Sequence, residues 1–130
     1  MNKKLVILFG LLLVAAMLIG ASALKNVPNC GGKACTVLCP GKGLPCTGTS
    51  GNDVICGSDT RDVIDAKGGN DLVCGWYGND EIKCGPGNDW CWGGPGNDSI
   101  AGGTGNDTID GGPGWDACAD VLGTTYVNCP

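Results

Sequence analysis

The sequence predicts an all-β, right-handed parallel β-roll solenoid of about eight nonapeptide repeats with disulfide-stapled caps, and three observations lead there. Asp stands at 53, 62, 71, 80, 89, 98, 107 and 116, every ninth residue without a slip. Gly contributes 25 of the 130 residues and aromatic residues only 5%, so too few large apolar side chains exist to fill an ordinary core. Ten Cys, an even number, offer another means of holding a small fold together.

Residues 1–23 read as an export signal. Met1-Asn2-Lys3-Lys4 is a short basic start, Leu5 to Gly20 is an apolar run without a charge, and Ala21-Ser22-Ala23 supplies the small residues of a cleavage site. The alternative is a retained membrane anchor, since the run approaches the shortest that spans a bilayer. Cleavage after Ala23 leaves six basic against thirteen acidic side chains, a charge near −7. That balance argues against nucleic acid, and after signal removal against a membrane surface, as partner. Export predicts a secreted, extracellular protein in which disulfides persist. There is no His and no Cys-x-x-Cys pair, which disfavours a zinc site.

Residues 24–47 carry Cys30, Cys35, Cys39 and Cys46 among Gly, Pro and Lys. They are expected to form an N-terminal cap closed by two disulfides, whose connectivity the sequence leaves open.

Residues 48–119 are the roll. Two positions before each periodic Asp stands Gly51, Thr60, Gly69, Gly78, Gly87, Gly96, Gly105 or Gly114, and two positions after it Ile55, Ile64, Val73, Ile82, Cys91, Ile100, Ile109 or Cys118. Gly permits the positive φ of tight turns. The last three residues of each unit form a strand whose middle side chain points inward, because strand side chains alternate faces. Two units complete one turn, so eight units predict four turns stacked about 4.8 Å apart.

The stacking brings Asp53, Asp71, Asp89 and Asp107 together on one edge and Asp62, Asp80, Asp98 and Asp116 on the other. Like charges that close in partly dehydrated turns repel. Calcium resolves the conflict, since it takes six to eight oxygen ligands and Gly-rich turns also expose carbonyls. Three gaps per edge set a ceiling of six ions. The metal-free alternative is a solenoid held by Asx hydrogen bonds within its turns.

The units Gly93-Gly94-Pro95-Gly96-Asn97-Asp98-Ser99-Ile100-Ala101 and Gly102-Gly103-Thr104-Gly105-Asn106-Asp107-Thr108-Ile109-Asp110 resemble the RTX, or haemolysin-type, calcium-binding nonapeptide repeats, Gly-Gly-x-Gly-x-Asp-x-U-x with U apolar. The resemblance covers about residues 48–119. It implies a calcium-filled parallel β-roll, with the sixth-place Asp as side-chain ligand and turn carbonyls completing each site. Unit two departs from the pattern at Thr60 and Arg61, which weakens the Asp62–Asp80 site and leaves Asp59 as an alternative carboxylate. Units four, five and eight depart at Trp76-Tyr77, Cys84 and Trp115.

Residues 120–130 read as a C-terminal cap. Residues 120–128 resemble a decayed ninth unit with Gly123 in the turn, Thr125 in place of Asp and Val127 at the inward position, closed by a Cys118–Cys129 disulfide. Cys56 and Cys74 hold the ninth place of units one and three and are expected side by side on neighbouring rungs as a second disulfide. Cys84 and Cys91 pair by elimination, although Cys91 also suits a small core residue.

An enzyme is not expected. There is no His, no Gly-x-Ser-x-Gly elbow and no metalloprotease helix, and Cys39-Pro40-Gly41-Lys42-Gly43 lacks the spacing and the Ser or Thr of a phosphate loop. The predicted function is a secreted calcium-binding module whose folding is coupled to the ion. Two readings of other classes stand beside it. One is an ice- or surface-binding protein using Thr104 and the fifth-place Asn residues. The other is an adhesin or effector that binds a glycan or protein through Trp76, Trp90 and Trp92.

Overall fold

The computed structural model describes residues 29–119 and 123–129; the expected export signal, residues 1–23, lies outside them. Among the described residues there are thirteen short strands and no helix. They are β1 (Asn29–Cys30), β2 (Lys33–Ala34), β3 (Val37–Leu38), β4 (Pro45–Thr47), β5 (Val54–Cys56), β6 (Val63–Asp65) and β7 (Leu72–Cys74). There follow β8 (Glu81–Pro86), β9 (Trp90–Trp92), β10 (Ser99–Thr104), β11 (Thr108–Asp110), β12 (Ala117–Ala119) and β13 (Thr125–Val127).

Successive units alternate between two parallel sheets, ordered β12-β10-β8-β6-β4 and β13-β11-β9-β7-β5-β3. Partners are eighteen residues apart: Ile55 faces Val73, Ile64 faces Ile82, and Ile82 faces Ile100. This is the β-roll expected from the ninefold period. The core is one side chain deep per unit, with Ile55, Val73, Cys91 and Ile109 of one sheet meeting Cys46, Ile64, Ile82 and Ile100 of the other.

The coil has about five turns, one more than the periodic aspartates account for. The extra turn comes from the expected cap. Val37 pairs with Ile55 and Cys46 with Ile64, so β3 and β4 keep the eighteen-residue register. That turn has Cys35 and Leu44 where the roll has Asp, so only its apolar column survives.

The other end differs by one residue. Ile109 lies opposite Tyr126 and Asp110 opposite Val127, so the last unit is one residue shorter and Val127 is not the register partner of the inward Ile109. The same shift brings Thr124, rather than Thr125, to the aspartate column.

Five disulfides link the chain: Cys30–Cys74, Cys35–Cys56, Cys39–Cys46, Cys84–Cys91 and Cys118–Cys129. The expected Cys56–Cys74 bridge is absent although the two residues are register partners. Side chains paired on neighbouring parallel strands project in parallel, which holds their Cβ atoms near the ~4.8 Å strand spacing; a disulfide needs roughly 3.5–4.5 Å. The hairpin β1–β2 and the segment after it supply both partners instead. Cys30 and Cys35 thus reach out of the cap into the roll, and only Cys39–Cys46 is internal to it. Cys30, Cys56 and Cys74 form a small second core with Leu72, Trp76 and Trp92 packed against it.

Candidate metal centres

All eight periodic aspartates are buried, between 0 and 7% exposed. The turn preceding each strand folds the carboxylate against the turn before it, where it accepts a backbone N–H. Oδ1 of Asp71 accepts the Asp53 N–H at 2.8 Å, and Asp89 accepts from Asp71, and Asp107 from Asp89, in the same way. On the opposite edge Asp80 accepts from Asp62, Asp98 from Asp80, and Asp116 from Asp98. A second ladder runs through the fifth-place residues, where the Asn70, Asn88 and Asn106 N–H groups donate to Oδ1 of Asn52, Asn70 and Asn88.

One carboxylate oxygen stays unsatisfied. Oδ2 of Asp71, Asp80, Asp89, Asp98, Asp107 and Asp116 is buried without a hydrogen-bond partner. Six such orphans in one small domain are far outside what native interiors tolerate unless something binds them. Backbone oxygens share the space. A Cβ placed on Gly75 would lie 2.5 Å from both Asp80 Oδ2 and the Gly93 carbonyl, and one on Gly111 would lie 2.6 Å from Asp116 Oδ2 and 2.5 Å from the Asn128 carbonyl. Gly93, Asp98 and the Gly111 carbonyl repeat the arrangement. A carboxylate oxygen and a carbonyl thus stand close together where a side chain would collide with both, and such hard oxygens are the ligands calcium takes. On the other edge buried Ala66 and Cys84 hold the equivalent place in units three and five. Among the described residues no three His, Cys, Asp or Glu side chains converge, so any such cage is completed by carbonyls.

Without a cation four of these groups resist ionisation. Burial pushes Asp80 up to about 7 and Asp89 and Asp98 to about 6, against the opposing effect of the ladder N–H, with neighbouring carboxylates adding to the rise. Asp71 is also raised, first by burial. Asp53 moves the other way, since the Thr49 N–H holds its carboxyl below the ordinary 3.8.

Asp53 and Asp62 stand apart in their hydrogen bonds. Oδ2 of Asp53 accepts the Thr49 N–H at 2.7 Å and its hydroxyl at 2.8 Å, and Oδ1 accepts the Thr36 hydroxyl at 3.2 Å. Oδ2 of Asp62 accepts the Ser58 N–H at 2.7 Å and hydroxyl at 3.0 Å, while its Oδ1 is unpartnered. Sequence reasoning missed these donors. The signal was present: the second place reads Thr49 and Ser58 in the first two units and Gly in the last four. Arg61 turns outward to Glu81 at 3.4 Å.

The aromatic residues separate into two groups. Trp76 and Trp92 meet edge to face with centroids 6.0 Å apart and lie over the Cys30–Cys74 region. Trp90, Tyr77 and, above all, Trp115 at 82% are exposed.

The RTX calcium-binding nonapeptide repeat matches the chain in four copies, over residues 47–82, 75–100 and 92–118. No curated protein and no solved structure matches it. The matched span, residues 47–118, is more than half of the 130 and coincides with the turns that stack the aspartates, so the chain belongs to the RTX calcium-binding nonapeptide repeat family.

Proposed function

We propose that this protein is an exported, non-catalytic calcium-binding module whose roll completes its folding when the ion binds. The observation that carries the reading is the row of buried Asp Oδ2 atoms left without partners. Membership of a family of calcium-binding repeats supports it, and the five disulfides suit an extracellular setting. The ligands assigned are the periodic aspartates with turn carbonyls, in cages of two carboxylates. Calcium supplies the positive charge that lets those carboxylates ionise while buried. An ion that binds only the folded state stabilises it by about 2.7 kcal/mol at a hundred times its Kd, and extracellular sites of this kind work at about 0.1–1 mM.

Circular dichroism of the oxidised protein, chelated and then titrated with calcium, tests this. The expected result is a gain of β signal at submillimolar to millimolar calcium, shifted to higher concentration in Asp98→Ala. An unchanged spectrum with no heat of binding in calorimetry would mean that disulfides and turn hydrogen bonds hold the fold alone.

A further inference from the structure

The periodic aspartates divide according to the second place of their own units. In units three to eight that place is held by Lys67, Trp76, Gly85, Gly94, Gly103 and Gly112, all left-handed with φ between 75 and 108°. Each of these units keeps a buried Asp Oδ2 without a partner. In units one and two the place is held by Thr49 and Ser58, and neither is left-handed. With ordinary backbone there, the N–H and the hydroxyl both turn onto Oδ2 of Asp53 and Asp62, at 2.7–3.0 Å. Two donors on one carboxylate oxygen stabilise its charge much as a cation does, and they fill the approach an ion would use. The same turn is bound covalently through Cys35–Cys56 to the segment before it, and the turn beneath is itself closed by Cys39–Cys46. Cys30–Cys74 clamps that preceding segment onto unit three.

We infer that residues 48–65 form a calcium-free first turn in which Thr49 and Ser58 stand in for the ion, and that calcium loads only the turns from Asp71 onward, on a template already folded. The inference rests on the calcium-binding reading above and changes its count. Gaps with an open Oδ2 on both carboxylates are Asp71–Asp89, Asp89–Asp107, Asp80–Asp98 and Asp98–Asp116, four in place of six; Asp62 keeps only its Oδ1 open, the atom that in later units faces the preceding turn. It also gives assembly a direction, since the turns needing the ion are stacked on one that does not.

Two measurements on the oxidised full-length protein decide it: calorimetric stoichiometry with calcium alone as titrant, and amide hydrogen exchange in chelator. The expected count is four ions, unchanged in Asp53→Asn and falling to two in Asp89→Asn, which borders two gaps. Amides of residues 48–65 stay protected in chelator while those of 93–119 exchange. Six ions with a loss on Asp53→Asn, or equally fast exchange of both segments, would overturn the inference and leave calcium binding intact. No bound calcium at all would overturn the calcium-binding reading, and this inference with it. Should Asp53→Asn fail to fold, the wild-type count and exchange pattern suffice.

Discussion

Asp53 and Asp98 hold the same place in the same repeat, and both are buried, yet their surroundings have opposite character. Asp53 has donors on both oxygens, two of them from Thr49. Asp98 has one ladder bond, on Oδ1, and a buried Oδ2 without a partner. The first turn thus serves the Oδ2 of both its aspartates with its own donors, and the later turns leave theirs without one. A column of identical residues is not a column of identical sites. The residue four places earlier, Thr or Ser against a left-handed residue, decides whether the carboxylate is served by the chain or left for a ligand.

The sharpest way to break this contrast is through glycine. Gly105 has φ 134° and a Cβ there would overlap the Gly87 carbonyl, whereas a Cβ on Gly51 would meet only Thr49 Oγ1 at 3.8 Å. Gly105→Ala is expected to cost about 3 kcal/mol or more, because the strained backbone and the clash add. Gly51→Ala is expected to stay within about 0.5 kcal/mol. Denaturant unfolding in saturating calcium measures both. Equal costs would mean that the first turn stacks as the later ones do.

A smaller effect should appear with pH. A carboxyl whose folded pKa is raised favours the folded state below its unfolded value and loses that advantage as pH rises through the folded one. Asp80, Asp89 and Asp98, raised to about 6 or 7, make the chelated protein lose stability from about pH 4 to pH 7. Asp53 works in reverse: its lowered pKa contributes above 3.8 and is lost as pH falls through it. Thermal melts in chelator should give a Tm several degrees higher near pH 5 than near pH 7.5. Calcium, which requires ionised carboxylates, should invert that order. A Tm in chelator that rises towards pH 7.5 would show that the later carboxylates are served as Asp53 is.

The smallest effect concerns Arg61, which links the first turn to the second through Glu81. The pair is about half exposed, so Arg61→Ala should cost about 0.5 kcal/mol or less. A larger loss confined to chelator would give Arg61 a charge role at Asp80, whose carboxyl it also favours in the ionised form.

The period made much of this architecture legible, because Gly, Asp and Ile each recur in their own column. Strand positions, the inward column and the two edges all follow from a spacing of nine. Three things did not follow. The N-terminal turn keeps the spacing only through Val37 and Cys46, and two residues do not announce a period. The pairing of Cys30 and Cys35 with Cys74 and Cys56 depends on a hairpin folding across the sheet, which no local pattern encodes. The one-residue shortening before Tyr126 is concealed because Val127 is the better apolar match to the column. At the aspartates the carboxylates were apparent, but the Thr49 and Ser58 donors became visible only when the second place was compared between units.

The two ladders along each edge run in opposite senses. An added turn hands its Asn N–H back to the previous Asn and takes the previous Asp N–H onto its own carboxylate. Each rung is therefore checked twice, once as donor and once as acceptor, and a slip of one residue would fail both checks. Such a chain measures its own length as it winds. The unit leading to Tyr126 opposite Ile109 is the slip written into the sequence: there the count no longer matches, and a nineteenth-century clockmaker would call it the stop tooth on the wheel.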